Sequence, residues 1–365
     1  MGGGDVCQKG SSVTPVKLAE PRDRKTCLLV LGMHRSGTSA LTGTLGLMGA
    51  ALPELLVLSN KSNVKGHFES LTALELNEDI LAAMNSCWHD IASIEISDLD
   101  PIFLEEWKTR LLAYLRTELS KTSLFVLKDP RLSRILPLAV SVLRDLSASS
   151  RAIICLRHPL EVARSLERRD GIAPAHGIGL WLRYMLDAEL NSRDLVRIFL
   201  DYSALLQDWR STIHQIEEQL GVVLPKRPAT AANSINEFLD KALRHNFAGS
   251  DESKDGLWSY SLAITCYQAL TALTRNPNDQ NAMHKLDLIR SKFDEPAFLF
   301  GAPLKIYFSE IRDMRKRLKL QSRTQAKVKH LSNLNREMRA STSWRLTAPL
   351  RKLGYILHSA SGLLK

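Results

Sequence analysis

The chain has 365 residues, of which 44% are hydrophobic and 24% are charged. These proportions are typical of a folded globular protein, and they exclude a collagen-like chain, a disulfide-rich scaffold and a wholly disordered chain. The formal net charge of +10, from 49 basic and 39 acidic residues, raises the question of an anionic partner such as a nucleic acid.

The surplus positive charge lies almost wholly at the C-terminal end. Residues 305–365 contain 15 Lys and Arg against 3 Asp and Glu, a net charge of +12, which leaves −2 for residues 1–304. A nearly neutral body argues against nucleic acid as a partner, whereas the basic tail can have a local role.

The N-terminal residues and the cysteines indicate the compartment. Residues 1–25 are polar and glycine-rich without periodicity, which predicts a disordered leader rather than a signal peptide. Five well-separated cysteines without a Cys-x-x-Cys pair predict neither a disulfide framework nor a zinc site. Because no apolar stretch is long enough to span a membrane, we expect a cytoplasmic protein.

Short apolar runs that predict strands alternate with helical patterns, and they lie at residues 27–31, 124–127, 152–156 and 196–200. Helices are predicted at residues 39–48, 71–83, 101–119 and 159–168, and from Tyr202 to near Gly221. This alternation predicts an α/β fold, a parallel sheet flanked by helices that binds ligands at the carboxyl ends of its strands. Residues 225–303 lack strand patterns and are predicted to form a mostly helical cap of a domain at 26–303. A basic helical tail is predicted at 304–365.

The octapeptide GMHRSGTS at residues 32–39 follows the first strand and opens a helix. In that position glycines let backbone N–H groups close around a phosphate, as in a P-loop-type fold. Thr38 stands where the nucleoside-triphosphatase pattern needs lysine, and the positive charge is at Arg35 instead. The second strand leads into Lys128 before Asp129, so no magnesium-holding carboxylate follows it directly. The loop therefore predicts a phosphate site without a metal, the alternative being a purely structural turn.

Residues 34–39 resemble the 5′-phosphosulfate loop of sulfotransferases that use 3′-phosphoadenosine 5′-phosphosulfate (PAPS). A second signature of that family is an arginine after a strand with a serine eight residues later, and Arg157 and Ser165 match this spacing. The resemblance implies that the loop binds the 5′ end of PAPS, while Arg157 and Ser165 bind its 3′-phosphate.

Three shorter matches extend the resemblance to residues 27–250. Residues 128–131, KDPR, are similar to an element of the Golgi tyrosylprotein and bacterial branches, in which the lysine faces the sulfuryl group. Tyr202 is similar to the tyrosine of the family's strand-to-helix corner, and Arg244 and His245 to a late basic loop over the cofactor. The implied PAPS-binding residues are His34, Arg35, Ser36, Gly37, Thr38, Ser39, Arg157, Ser165, Tyr202, Arg244 and His245.

The resemblance also implies catalytic roles. Arg35 and Lys128 are expected to stabilise charge on the transferring group and the bridging oxygen. Glu69 is the predicted base, because the related branch places a catalytic glutamate between the loop and the next strand. His67 and His89 stay open as alternatives, since imidazole titrates near neutrality. Glu69 can also be read as an acid favourable at a helix start. No metal is expected.

The sequence thus predicts a PAPS-dependent sulfotransferase acting on a hydroxyl of a carbohydrate or glycolipid, in cell-surface polysaccharide biosynthesis. The alternatives are a nucleotide kinase with a similar loop and a non-catalytic polysaccharide-assembly factor. Residues 343–351 resemble a closing segment of bacterial glycosyltransferases and polysaccharide-building proteins. Together with its basic charge, this predicts peripheral contact of the tail with an anionic inner membrane. A homo-oligomer stays open.

Overall fold

A computed structural model describes residues 25–58, 66–239 and 258–351. The predicted leader, apart from Lys25, and the predicted cofactor residues Arg244 and His245 lie outside these ranges. The chain divides into two compact units, Met1–Gly301 and Ala302–Lys365.

The first unit contains a parallel sheet at the places predicted for strands. Its strands are β1 (Thr26–Leu31), β2 (Leu124–Lys128), β3 (Ser149–Leu156) and β4 (Val196–Asp201). They are ordered β2-β1-β3-β4, and Val30 of β1 lies opposite both Lys128 and Ile153. The predicted α/β fold class is confirmed. The chain passes from β1 to β2 on one side of it and then to β3 on its other side. The loop that leaves β1 therefore lies at the point where the strand order reverses, which is the usual place for a ligand crevice.

Helices follow or precede each strand. Their bounds are α1 (Thr38–Leu47), α2 (Leu71–Ala83), α3 (Pro101–Ser120), α4 (Leu132–Asp145), α5 (Pro159–Asp170), α6 (Pro174–Asn191), α7 (Tyr202–Gln207), α8 (Trp209–Leu220), α9 (Pro228–Phe238), α10 (Trp258–Arg275), α11 (Gln280–Ala340) and α12 (Thr342–Leu346). In the described part of the chain, none of these helices has a stretch long and apolar enough to cross a membrane.

Both faces of the sheet are covered. Cys27, Leu29 and Leu31 point into a core built with α2 to α6, α10 and the first turns of α11. Leu28 and Val30 point into a second core, built with α1, α8 and α9. This double burial explains why β1 is a continuous apolar run rather than an alternating one.

Two helices, α4 and α6, were not predicted from the sequence. The helix α6 is buried from Gly177 to Glu189 without interruption, so it lacks the polar face from which an amphipathic helix is recognised. The helix α4 contains Pro137 and a non-helical residue at Ile135, which obscure its pattern. The single helix predicted after Tyr202 is instead two helices, because Asp208 interrupts it and caps α8 by accepting hydrogen bonds from backbone N–H groups.

Candidate active site

The loop between β1 and α1 is shaped by two glycines with positive φ. Gly32 has φ 122°, and a Cβ there would lie 2.7 Å from the carbonyl oxygen of Cys155 on the neighbouring strand. Gly37 has φ 91°, and its Cβ would lie 2.2 Å from the ring of Tyr202. Gly37 is also the N-cap of α1 and offers no side chain to the first turn. The first turn of α1 therefore receives no hydrogen bond from an N-cap side chain, and helix N-termini of this kind are suited to bind phosphate.

Polar side chains of the loop are buried. Ser36 is fully buried and Thr38 is 3% exposed. Among the described residues, the Ser36 hydroxyl has no hydrogen-bond partner. An unsatisfied buried hydroxyl is costly, and an anion bound in the loop would satisfy it.

Arg35, in the loop after β1, contacts both residues of the second predicted cofactor signature, Arg157 and Ser165. Its Nε donates a hydrogen bond of 2.8 Å to the Ser165 hydroxyl, and its carbonyl accepts one of 3.0 Å from Nη1 of Arg157. Arg157 is held in turn by Glu161 at 2.9 Å, and its guanidinium lies 4.9 Å from the centre of the Tyr202 ring. Residues that lie far apart in the sequence therefore meet at the carboxyl ends of β1 and β3.

Lys128, at the end of β2, lies in a buried polar cluster. Its Nζ is 2.5 Å from Oε1 of Glu69 and also donates to the His67 carbonyl at 3.0 Å and the Ser39 hydroxyl at 3.3 Å. Lys128 is 2% exposed and Glu69 is 5% exposed. Two buried charges in contact compensate each other's desolvation. The cluster therefore places the predicted catalytic lysine and the predicted base side by side, next to the end of the loop.

The position of Glu69 bears on its two predicted roles, a base and an acid at the start of a helix. Ser70, not Glu69, caps α2, since its hydroxyl accepts a hydrogen bond from the backbone N–H of Ala73. The carboxylate of Glu69 is directed to Lys128 instead of the helix N-terminus. Its second oxygen lies 3.9 Å from Nη1 of Arg131.

The histidines near the site differ in their surroundings. His67 precedes Glu69 by two residues, and burial lowers its pKa, with the charge of Glu69 opposing this effect. His89 lies with its Nδ1 3.1 Å from the sulfur of Cys87. His34 is buried with its ring 5.0 Å from that of Trp88. Burial and neighbouring cations hold the pKa of His34 well below its ordinary value. Of the two alternative bases, His67 is the one whose backbone belongs to the Lys128 cluster.

Two residues of the site have contacts that the sequence motifs did not indicate. Ser133 accepts a hydrogen bond of 3.0 Å from the backbone N–H of Gly32 and so fixes the start of the loop. Asp129 accepts hydrogen bonds from Asn77 at 2.8 Å and from Arg131 at 3.0 Å. Its carboxylate thus holds the turn after β2 together. The contacts of Gly32 with Ser133 and of Asn77 with Asp129 join residues far apart in the chain, so no local pattern reveals them.

Arg169 is a further cation of this region. It lies four residues after Ser165 on α5, hence on the same face of the helix, and its guanidinium is 5.5 Å from the centre of the Trp88 ring. Its Nε donates to Asp170 at 2.6 Å. Its charge contributes to lowering the pKa of Arg35, of which burial is the main cause. The spacing from Ser165 is the one signal by which the sequence could have revealed it.

Among known proteins, the chain is similar to solved structures but not to family models or curated sequences. No family model and no curated protein matches the chain. The sulfotransferase domain from the Synechococcus PCC 7002 olefin synthase is similar at a TM-score of 0.35 and 17% identity, over 68% of this chain and 97% of that one. The sulfotransferase domain from the curacin biosynthetic pathway is similar at a TM-score of 0.35 and 16% identity, over 56% of this chain and 76% of that one.

Proposed function

We propose that the protein transfers a sulfuryl group from PAPS to a hydroxyl group of an acceptor. The observation that carries this proposal is the contact of Arg35 with both Ser165 and Arg157. Through this contact, a phosphate-type loop and a second cationic site share one edge of the sheet. A donor that carries an anionic group at each of two ends, as PAPS does, matches such a pair of sites.

The residues present fit the two ends of PAPS. The N-terminus of α1, which has no side-chain cap, and the unsatisfied Ser36 hydroxyl suit the 5′-phosphosulfate. Arg157 and Ser165 suit the 3′-phosphate, since a guanidinium and a hydroxyl are both donors to phosphate oxygens. Tyr202 lies between the two sites, against Gly37 on one side and Arg157 on the other.

PAPS supplies a sulfur atom that is open to attack and a good leaving group. In the transfer, the acceptor oxygen forms a bond to sulfur while the bond from sulfur to the phosphate oxygen breaks, and the proton of the acceptor hydroxyl goes to a base. Lys128 and Arg35 stabilise the negative charge that develops, an effect typically worth about 10²–10³ in rate for one donor. Glu69 holds Lys128 in place and is our first choice for the base, with His67 as the alternative.

A hydroxyl of a carbohydrate or glycolipid remains the proposed acceptor. Its support is the sequence resemblance to sulfotransferases and that of residues 343–351 to polysaccharide-building proteins. The two similar domains come from an olefin synthase and from the curacin pathway. Hydroxyl compounds of such pathways therefore belong in the same acceptor panel.

The test has a binding step and a turnover step. We expect 3′-phosphoadenosine 5′-phosphate to bind in calorimetry, and Ser165→Ala to weaken this binding about tenfold through the loss of a hydrogen bond to a charged group. Ser211→Ala, at an exposed serine of α8, is the matched control. Labelled PAPS should then label an acceptor in the panel. Absence of binding by the wild-type protein, or turnover of ATP that chelation of Mg²⁺ abolishes, would contradict the proposal.

A further inference from the structure

The unit Ala302–Lys365 carries an exposed apolar face on the C-terminal part of α11. Val328, Leu331, Leu334 and Met338 are between 47% and 60% exposed. At about 100° per residue these four positions fall within an arc of roughly 120° on the helix. We call them the tail face. Single exposed apolar residues are common, but an apolar stripe on a solvent-exposed helix indicates a surface that contacts something else.

The exposed apolar surface continues past α11. Leu346 and Leu350, which are four residues apart, are 75% and 71% exposed. On either side of these leucines in the chain stand Trp344 and Arg351, and the guanidinium of Arg351 lies 3.7 Å from the centre of the Trp344 ring. Tryptophan with an adjacent arginine is an arrangement suited to a boundary between water and an apolar phase.

Positive charge accompanies the apolar surface. Residues 305–365 carry a net charge of +12. On the helix, the exposed Arg339 lies beside the arc of the tail face. A cation at the edge of an apolar stripe is typical of a helix that lies in the plane of a membrane interface.

Two other occupants fit less well. A second copy of the chain would bring two segments of +12 together, which repel each other. Exposed Gln321, Thr324 and Gln325 also interrupt the apolar seam that a long coiled coil needs. A soluble polyanion would satisfy the charge but leave the tail face in water.

We propose that residues 321–351 bind the surface of an anionic phospholipid bilayer, with the tail face in the interface and the basic residues at the lipid head groups. Each cation near such a surface strengthens binding severalfold, and the buried apolar side chains add to this. The segment lies on the membrane and does not cross it.

The experiment measures cosedimentation of the full-length protein with vesicles. We expect binding to vesicles of phosphatidylcholine with phosphatidylglycerol and little binding to phosphatidylcholine alone. The triple variant Leu331→Gln, Leu334→Gln and Met338→Gln should bind the anionic vesicles at least about tenfold more weakly, since it removes apolar burial without changing charge. The matched control is Val223→Gln with Leu288→Gln, which changes two residues that are 84% and 52% exposed in the other unit.

Three outcomes overturn the proposal. The first is equal binding of the wild type to neutral and anionic vesicles, or to neither. The second is undiminished binding by the triple variant. That result would mean that the positive charge alone causes binding, as it would with any polyanion. The third is a wild-type dimer in light scattering that the triple variant converts to a monomer, which would assign the tail face to a second copy. Circular dichroism confirms that each variant keeps its helices.

Discussion

The buried pair of Lys128 and Glu69 allows a prediction whose size follows from its surroundings. Lys128→Met would leave the Glu69 carboxylate with Arg131 at 3.9 Å as its nearest cationic partner. Glu69→Gln would leave a buried ammonium group with the neutral oxygens of His67 and Ser39. Breaking a buried pair typically costs about 3–5 kcal/mol, because the remaining charge stays desolvated. We expect each single substitution to lower the free energy of unfolding by this amount.

The double variant separates the pair from its members. In Lys128→Met with Glu69→Gln no charge remains unpaired, so we expect a loss well below the sum of the two single losses, with a coupling of about 2–3 kcal/mol. Urea unfolding followed by circular dichroism measures all three variants. The control is the pair of Arg110 and Asp79, which are in contact at 3.1 Å but have side chains 57% and 49% exposed.

The comparison between the two pairs decides the outcome. For Arg110→Met and Asp79→Asn we expect losses of at most about 1 kcal/mol, because water screens an exposed pair. If Lys128→Met and Glu69→Gln cost no more than these controls, the pair is not desolvated and the description of the site is wrong. If the losses of the two single variants simply add in the double variant, the two groups do not interact.

Three further predictions concern the loop. Gly37→Ala should abolish binding of 3′-phosphoadenosine 5′-phosphate in calorimetry, because the added Cβ would lie 2.2 Å from the Tyr202 ring at a φ of 91°; unchanged affinity would refute the loop geometry. Arg35→Gln should lower the rate of transfer at least about a hundredfold, measured with labelled PAPS, and a rate equal to that of the wild type would remove Arg35 from the mechanism. The pKa of His34 is held well below 6.5 mainly by burial, so the unfolded chain binds more protons than the native one and stability should fall as pH drops below 6.5, by up to about 1.4 kcal/mol per unit. Urea unfolding between neutral and mildly acidic pH checks this, and a wild-type slope no steeper than that of His34→Gln would contradict it.

The sheet could be predicted because burial on both faces leaves a local trace. The consecutive apolar residues of β1, followed by Gly32, identify a central strand and its turn without knowledge of the rest of the fold. The helix α6 shows the opposite case. Its continuous burial between other helices removes the alternation of polar and apolar residues on which recognition of a helix depends.

The site could be predicted in part for a similar reason. The loop at residues 32–39 is local, so its residues stand together in the sequence. The approach of Lys128 to Glu69 depends on how residues 66–70 pass over the end of β2, which no spacing encodes. Arg169 was missed although it lies one helical turn after Ser165, because its position matters only once α5 is seen beside Trp88.

The hydrogen bonds made by Arg35 have a consequence for which donor the proposed transfer would use. Arg157 donates a hydrogen bond to the backbone carbonyl of Arg35, and the Ser165 hydroxyl accepts one from the Arg35 side chain. The groups proposed to bind the 3′-phosphate thus also set the shape of the loop proposed to bind the reacting end. Adenosine 5′-phosphosulfate, which lacks the 3′-phosphate, should consequently be a poor donor even at saturation, with a lower kcat as well as a higher KM. Discrimination between the two nucleotides would then occur during the transfer itself and not only on binding.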